Sequence, residues 1–222
     1  MAITRPNILT NAPARGKYAQ GVKLLKAEFT GPTTTSLGIP GPSQRVSTYD
    51  LFVVWHHMAM STFTPPTQGD RNAAHRGPVF CPWHRFLLRQ LELNLQRVLG
   101  NANFGLPYWD WAADGQRPPA QQKLSKVWAI AAMGSSGSPV TTGPFAFSAG
   151  DPTTFRVRIE SNVNGQLVQA NHGRTYLPLQ TALASLREHR INDPMASLVS
   201  APMRPADVLD MTATYVYDSL TV

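Results

Sequence analysis

Three histidines have the types and spacing to bind one metal ion: His56, His75 and His84. His56 and His84 fall on the apolar stripes of two predicted helices, and His75 lies between these helices, nine residues before His84. Imidazole binds copper, zinc, iron and nickel, whereas a set without carboxylate or thiolate disfavours magnesium, calcium and iron–sulfur centres. A lone histidine is more often a core or surface residue. For three histidines in this arrangement, metal binding and an ordinary core or surface role are about equally weighted on spacing alone.

Two helices and the segment between them must position these side chains. Apolar residues at spacings of three and four predict a helix over residues 46–60, with His56 on its face. The same pattern predicts a helix over residues 80–99, with His84 on its face, Pro82 in its first turn and Gly100 as its stop. The intervening residues 61–79 are rich in proline and glycine and are predicted to form a structured loop.

The remaining elements are less strongly patterned. A first helix is predicted over residues 11–29, followed by a loop over 31–45. A short strand over 155–159 is predicted to pair with residues 166–169 across an Asn164-Gly165 turn. Short helices are predicted at residues 120–132, 176–189 and 205–213.

Composition bounds the class of protein. A chain of 222 residues suits one domain, residues 1–222, with a sizeable core. The net charge of +7 comes from scattered lysines and arginines, which favours solubility over nucleic-acid binding and only weakly suggests an acidic partner. The single cysteine, Cys81, excludes an internal disulfide. With neither a signal-like segment nor a membrane-spanning run, we expect a soluble protein, cytoplasmic by default, although export on a partner or after removal of an earlier segment stays open.

Four motifs resemble, in the same order, the first half of bacterial tyrosinases, which are dinuclear (type 3) copper oxidases. Three contain the histidines, and the fourth is aromatic: Tyr49-Asp-Leu-Phe-Val-Val-Trp-His56, Ala74-His75-Arg-Gly-Pro-Val-Phe80, Pro82-Trp-His84-Arg-Phe-Leu-Leu88 and Pro107-Tyr-Trp-Asp-Trp111. The clear resemblance spans roughly residues 45–112. It implies a mainly α fold, in which this chain supplies the copper A helix pair of a tyrosinase-like helical bundle with long loops and a small β-hairpin.

The resemblance also implies roles for single residues. His56, His75 and His84 would ligate copper A, and His57 would be a neighbour or a group that supports a ligand. Glu92 has two equally weighted interpretations: a hydrogen bond to a ligand imidazole, or an ion pair with an arginine such as Arg85. Cys81 is interpreted as a small buried apolar residue rather than a ligand, and Asp110 as a residue that satisfies a nearby helix end.

The sequence departs from the family pattern after His84. Its only later histidines are His172 and His189, seventeen residues apart, whereas the family places a second set of three histidines on two further helices. Thr214-Tyr-Val-Tyr-Asp218 resembles the family segment just before that second set. We therefore expect a second polypeptide to supply copper B. Without it, an apolar face of the third helix would be exposed, formed by Leu87, Leu88, Leu91 and Leu95.

These expectations predict an oxidase that uses O2 to convert small phenols, catechols or o-aminophenols to o-quinone-type products. Two alternatives stay open: a non-catalytic, haemocyanin-like copper and oxygen carrier, and a single-copper scaffold that serves only assembly.

Overall fold

The computed structural model describes residues 3–61, 65, 67, 74, 79–110, 113, 118, 121, 126–132, 142–146, 159–161 and 166–169. Within these residues, three helices and one two-stranded antiparallel sheet form the regular structure: α1 (Ala12–Ala27), α2 (Thr48–Ser61), α3 (Phe80–Val98), β1 (Ile159–Ser161) and β2 (Leu167–Gln169). The predicted mainly α class is confirmed, and each helix begins and ends within two residues of its predicted bounds. None of the described helices is long and apolar enough to cross a bilayer.

The structure agrees with some of the shorter predicted elements and differs from others. Residues 120–132 contain one 3₁₀ turn, Lys126–Trp128, among their described positions, and a second 3₁₀ turn, Thr35–Leu37, lies in the predicted loop. The predicted pairing is confirmed for Ile159, which pairs with Gln169, whereas the described first strand, Ile159–Ser161, extends beyond its predicted end at residue 159. Residues 155–158, and the helices predicted at 176–189 and 205–213, lie outside the described residues.

Polar side chains cap the first two helices. The Asn11 side-chain oxygen accepts a hydrogen bond from the Ala14 N–H at 2.9 Å, which starts α1. At the start of α2, the Ser47 hydroxyl accepts from the Asp50 N–H at 3.1 Å and donates to the Asp50 carboxylate at 2.8 Å. The other Asp50 oxygen binds Lys26 Nζ at 2.5 Å, and both side chains are buried. This buried ion pair fixes α2 against α1, because either charge alone would be costly to bury.

Helix α3 has a well-defined start and stop. Pro82 lies in its first turn, where a missing N–H leaves no helical hydrogen bond unmade. At its end, Gly100 has a φ of 58° and donates its N–H to the Arg97 carbonyl, while the Asn101 N–H donates to the Gln96 carbonyl. These two bonds form a Schellman motif, so the predicted stop at Gly100 is confirmed.

The main core lies between α1 and α3. The helices approach closely at Gly21, where a Cβ atom would lie 2.7 Å from Cδ2 of Leu95. The buried cluster around this contact includes Ile8, Leu9, Ala19, Val22, Leu25, Leu95, Phe104, Val127 and Phe145. The prediction that Leu95 is left for a partner is therefore wrong, since it is fully buried in this chain's own core, and Leu91 packs against the same cluster. Leu88 is 49% exposed, as the prediction requires.

The N-terminal segment pairs with the aromatic motif after α3. The Ile8 N–H donates to the Tyr108 carbonyl at 2.8 Å, and the Tyr108 N–H donates to the Pro6 carbonyl at 3.0 Å. Gly105 permits this approach, because a Cβ atom there would clash with the Thr4 carbonyl oxygen. Residues 3–8 are thereby held beside one face of α3, here called its outer face, which is formed by Cys81, His84, Arg85, Leu88, Arg89 and Glu92.

Candidate metal centre

The structure brings two of the three predicted ligands together. His56 on α2 and His84 on α3 lie with their ring centres 5.6 Å apart and their planes at 66°. Both side chains are half-buried. Two imidazoles from separate helices therefore meet at one point, near the C-terminal half of α2 and the N-terminal end of α3.

A backbone hydrogen bond selects the nitrogen that His84 can offer to a metal. Its Nδ1 lies 2.8 Å from the carbonyl oxygen of Phe80, one helical turn earlier. A carbonyl only accepts, so Nδ1 carries the proton in the neutral ring and Nε2 carries the lone pair. Metal-bound histidines are oriented in this way by a hydrogen bond to their second nitrogen.

Aromatic rings pack around both imidazoles. The Trp83 ring centre lies 4.8 Å from that of His84 and 5.6 Å from that of His56, edge to face in both cases. The Phe80 ring centre lies 4.4 Å from that of His84. These contacts restrict the rotation of the imidazoles and reduce the access of water to them.

The geometry of the pair is compatible with one shared ion. A metal ion about 2 Å from one nitrogen of each ring lies about 3 Å from each ring centre, so centres up to about 6 Å apart can share it. The observed 5.6 Å falls within this limit. The donor set is imidazole nitrogen, which suits copper.

The third predicted ligand, His75, lies outside the described residues. Its neighbour Ala74 is described and is fully buried. Among the residues that the structure describes, no group of three or more histidine, cysteine, aspartate or glutamate side chains could hold a metal ion. The role of His75 therefore stays a prediction from the sequence.

His57 and His56 occupy different environments on α2. His57 is only 8% exposed, whereas His56 is half-buried and faces His84. Adjacent helix residues project about 100° apart, so the two imidazoles cannot face the same point from an undistorted helix. The predicted preference for His56 over His57 is consistent with this arrangement.

Glu92 forms ion pairs with arginines rather than a hydrogen bond to a described imidazole. Its carboxylate is fully buried and accepts from Arg5 at 2.9 and 3.0 Å, from Arg89 at 2.6 Å and from the Leu106 N–H at 2.8 Å. Of the two interpretations, the ion pair is the one observed, with Arg5 and Arg89 in place of the predicted Arg85. Burial raises the pKa of Glu92, but the hydrogen bonds from Leu106, Arg89 and Arg5 outweigh it and hold the pKa below its usual range.

Two further predictions have clear outcomes. The prediction that Cys81 is buried is wrong: its side chain is exposed. It lies on α3, three residues before His84, and lines the same groove as His84. Asp110 accepts a hydrogen bond from the Ala113 N–H at 3.1 Å, which agrees with the predicted role in satisfying a helix end.

An open groove of about 980 Å³ runs along the outer face of α3. His84 forms part of its wall, together with charged and apolar side chains from α3, the N-terminal segment and the aromatic motif: Ile3, Arg5, Phe80, Cys81, Arg85, Leu88, Arg89, Glu92, Leu106, Pro107 and Tyr108. Arg5 could not be predicted as part of this wall, because 87 positions separate it from Glu92 and no local sequence pattern connects them. The bond from His84 to Phe80 had a readable signal, namely the four-residue spacing within one helix.

Comparison with known proteins identifies the family. The common central domain of tyrosinase matches residues 46–206. The tyrosinase of Streptomyces antibioticus is 38% identical over 119 residues, which are 51% of this chain and 40% of that protein. Grixazone synthase of Streptomyces griseus is 37% identical over 108 residues, 46% of this chain and 32% of that protein. The chain therefore belongs to the tyrosinase family, and the family match extends well beyond residue 112.

A solved structure supports the fold independently. A mutant polyphenol oxidase from Thermothelomyces thermophila superposes with a TM-score of 0.54 at 20% identity, covering 96% of this chain and 66% of that one. The present chain spans about two fifths of the length of the Streptomyces tyrosinases that it matches.

Proposed function

We propose that this chain is the copper A half of a type 3 copper oxidase and that His56, His75 and His84 hold the copper ion. The observation that carries the proposal is the 5.6 Å approach of the His56 and His84 rings from two separate helices. Membership of the tyrosinase family supports copper as the metal and oxidation of phenols as the reaction class. In a completed site, copper would bind O2 and supply the redox chemistry that converts phenols, catechols or o-aminophenols to o-quinone-type products.

The residues of this chain orient and shield rather than transfer protons. The Phe80 carbonyl holds the His84 ring with Nε2 as its metal-facing nitrogen. Trp83 packs against both imidazoles and limits their rotation. Preorganised ligands of this kind lose little conformational entropy when they bind a metal, so the pair favours tight binding.

We further propose that a second polypeptide supplies the copper B histidines. This chain has only His172 and His189 after His84, and their spacing does not match the family's second set. Large apolar side chains are also exposed on both helices that carry the ligands: Trp55 and Met58 on α2, and Phe86, which is 64% exposed, on α3. Exposed apolar side chains beside a half-site support a docking partner.

Purification of the tagged chain from its natural host, followed by native mass spectrometry with metal analysis, tests both proposals. The expected result is one copy of this chain with one other polypeptide, two copper ions per complex, and oxidation of catechol by the complex. A His84→Ala chain should retain the partner but lose one copper ion and the activity.

Three other outcomes would contradict this account. A lone chain with one copper ion or none would overturn the two-chain proposal. Reversible O2 binding without catechol oxidation would favour the oxygen-carrier alternative. A complex without a second copper ion and without activity would favour the scaffold.

A further inference from the structure

The groove on the outer face of α3 has an unbalanced charge. Among the residues that the structure describes, three guanidinium groups line it, from Arg5, Arg85 and Arg89, against one carboxylate, that of Glu92. These described wall residues therefore carry two more positive charges than negative ones. Such an excess in a concave site attracts anions, because the low-dielectric walls concentrate the field.

The three arginines are not equally available to a ligand. Arg5 and Arg89 both donate to Glu92, whose two oxygens also accept the Leu106 N–H. Arg85 is exposed and forms no hydrogen bond or ion pair with any residue that the structure describes. Its guanidinium group can therefore form a bidentate pair with an incoming carboxylate without breaking an existing contact.

The rest of the groove suits an aromatic ring. Phe80, Leu88, Leu106, Pro107 and Tyr108 give it apolar and aromatic walls, and Tyr108 is 50% exposed. Arginine and tyrosine together can bind the face and the edge of a small planar molecule.

The position of Arg85 relates this groove to the metal centre. It directly follows His84 on α3, and both side chains line the groove. Because both side chains line one groove, a small molecule whose carboxylate is bound by Arg85 can place its ring beside His84.

We propose that Arg85 is a specificity residue that selects phenols and catechols carrying a carboxylate and a net negative charge over neutral ones. This inference rests on the proposed function for its chemistry, but the binding that it predicts does not require copper or a partner. Arg85 acts by binding the carboxylate, and Arg5 and Arg89 add a favourable field while they remain paired with Glu92.

The test is equilibrium binding to the copper-free chain, measured by calorimetry with 3,4-dihydroxybenzoate and with its uncharged amide. We expect the carboxylate to bind at least about tenfold more tightly, and this preference to weaken as salt is raised. Arg85→Gln should remove the preference by weakening carboxylate binding alone, and Arg85→Lys should restore part of it. Lys17→Gln is the matched control, since it removes one positive charge from an exposed site on α1 outside the groove.

Equal binding of the two compounds, no binding of either at millimolar concentration, or unchanged carboxylate binding in Arg85→Gln would overturn the inference. An equal loss in Lys17→Gln would overturn it too, because it would assign the effect to net charge. Arg85 is exposed, so the variants should fold normally, and matching circular dichroism spectra would verify this. Since no copper is present, a negative result here is separate from any failure of copper binding or oxidation.

Discussion

The His84 Nδ1 atom lies 2.8 Å from the carbonyl oxygen of Phe80, so one turn of α3 orients the imidazole before any metal binds. The same helix buries Leu95 against α1 and anchors Glu92 to the N-terminal segment. Contacts along α3 therefore help to position His84. Because the ligand and the packing residues occupy different positions of the helix, mutation can test their roles separately.

The first prediction distinguishes the two adjacent histidines of α2. His56→Ala should weaken copper binding at least about 100-fold, because it removes a ligand rather than a supporting group. His57→Ala should keep copper binding but destabilise the chain by about 2 kcal/mol or more, since the ring is buried. Copper titration and urea unfolding of both variants check this, and the reversed pattern would show that His57 is the ligand.

The second prediction concerns the buried carboxylate of Glu92. Glu92→Gln should lower the free energy of unfolding by about 1–3 kcal/mol, a range reduced because both arginine partners are partly exposed. Glu28→Gln is the control, because it removes the more exposed pair with Arg97 and should cost less than about 1 kcal/mol. Urea unfolding measures both. Loss of copper binding in Glu92→Gln without loss of stability would instead support a direct role at the metal.

The third prediction follows from the lowered pKa of the same group. A carboxyl group whose pKa falls on folding stabilises the folded state above its unfolded pKa, about 4.3 for glutamate. This contribution should be fully present at neutral pH and should be lost as the pH falls below that value through the folded pKa. Unfolding free energies between about pH 5 and 3 should therefore fall less steeply in Glu92→Gln than in the wild type. Parallel curves would contradict the role assigned to Glu92.

The fourth prediction compares two glycines of α1. Gly21→Ala places a Cβ atom 2.7 Å from Leu95 and should destabilise the chain by about 1–2 kcal/mol by forcing α1 and α3 apart. A Cβ atom added at Gly16 would have no neighbouring atom within 4 Å. Gly16→Ala should therefore stabilise the chain by about 0.5–1 kcal/mol through helix propensity. Thermal unfolding of both measures the difference. Equal effects would show that the close approach of the helices is unimportant.

The sequence predicted what local patterns determine. The bounds of α3 follow from its apolar spacing, Pro82 and Gly100, which act within a few residues of one another. The approach of His56 to His84 was predicted from the resemblance to tyrosinases, because the helix faces and spacing alone left metal binding and the structural alternative equally weighted. For α3, the relevant information is contained in one helix and its cap.

The sequence did not reveal what depends on distant contacts. The pairing of Arg5 with Glu92, and of residues 6–8 with Tyr108, joins segments about a hundred residues apart with no shared pattern. The same limit explains why the burial of Cys81 and the exposure of Leu95 were wrongly predicted. An apolar helix has more than one apolar side, and only tertiary packing decides that Leu95 is buried while Cys81 is exposed.

The most direct test of the central claim is the copper content of this chain in native mass spectrometry, with a chelator present to compete for weakly bound ions. When this chain is produced without its partner and supplied with copper, the wild type should carry one copper ion, and His56→Ala, His75→Ala and His84→Ala should each carry none under the same conditions. Retention of copper by all three variants, or its absence from the wild type, would contradict the assignment of these histidines as the metal centre.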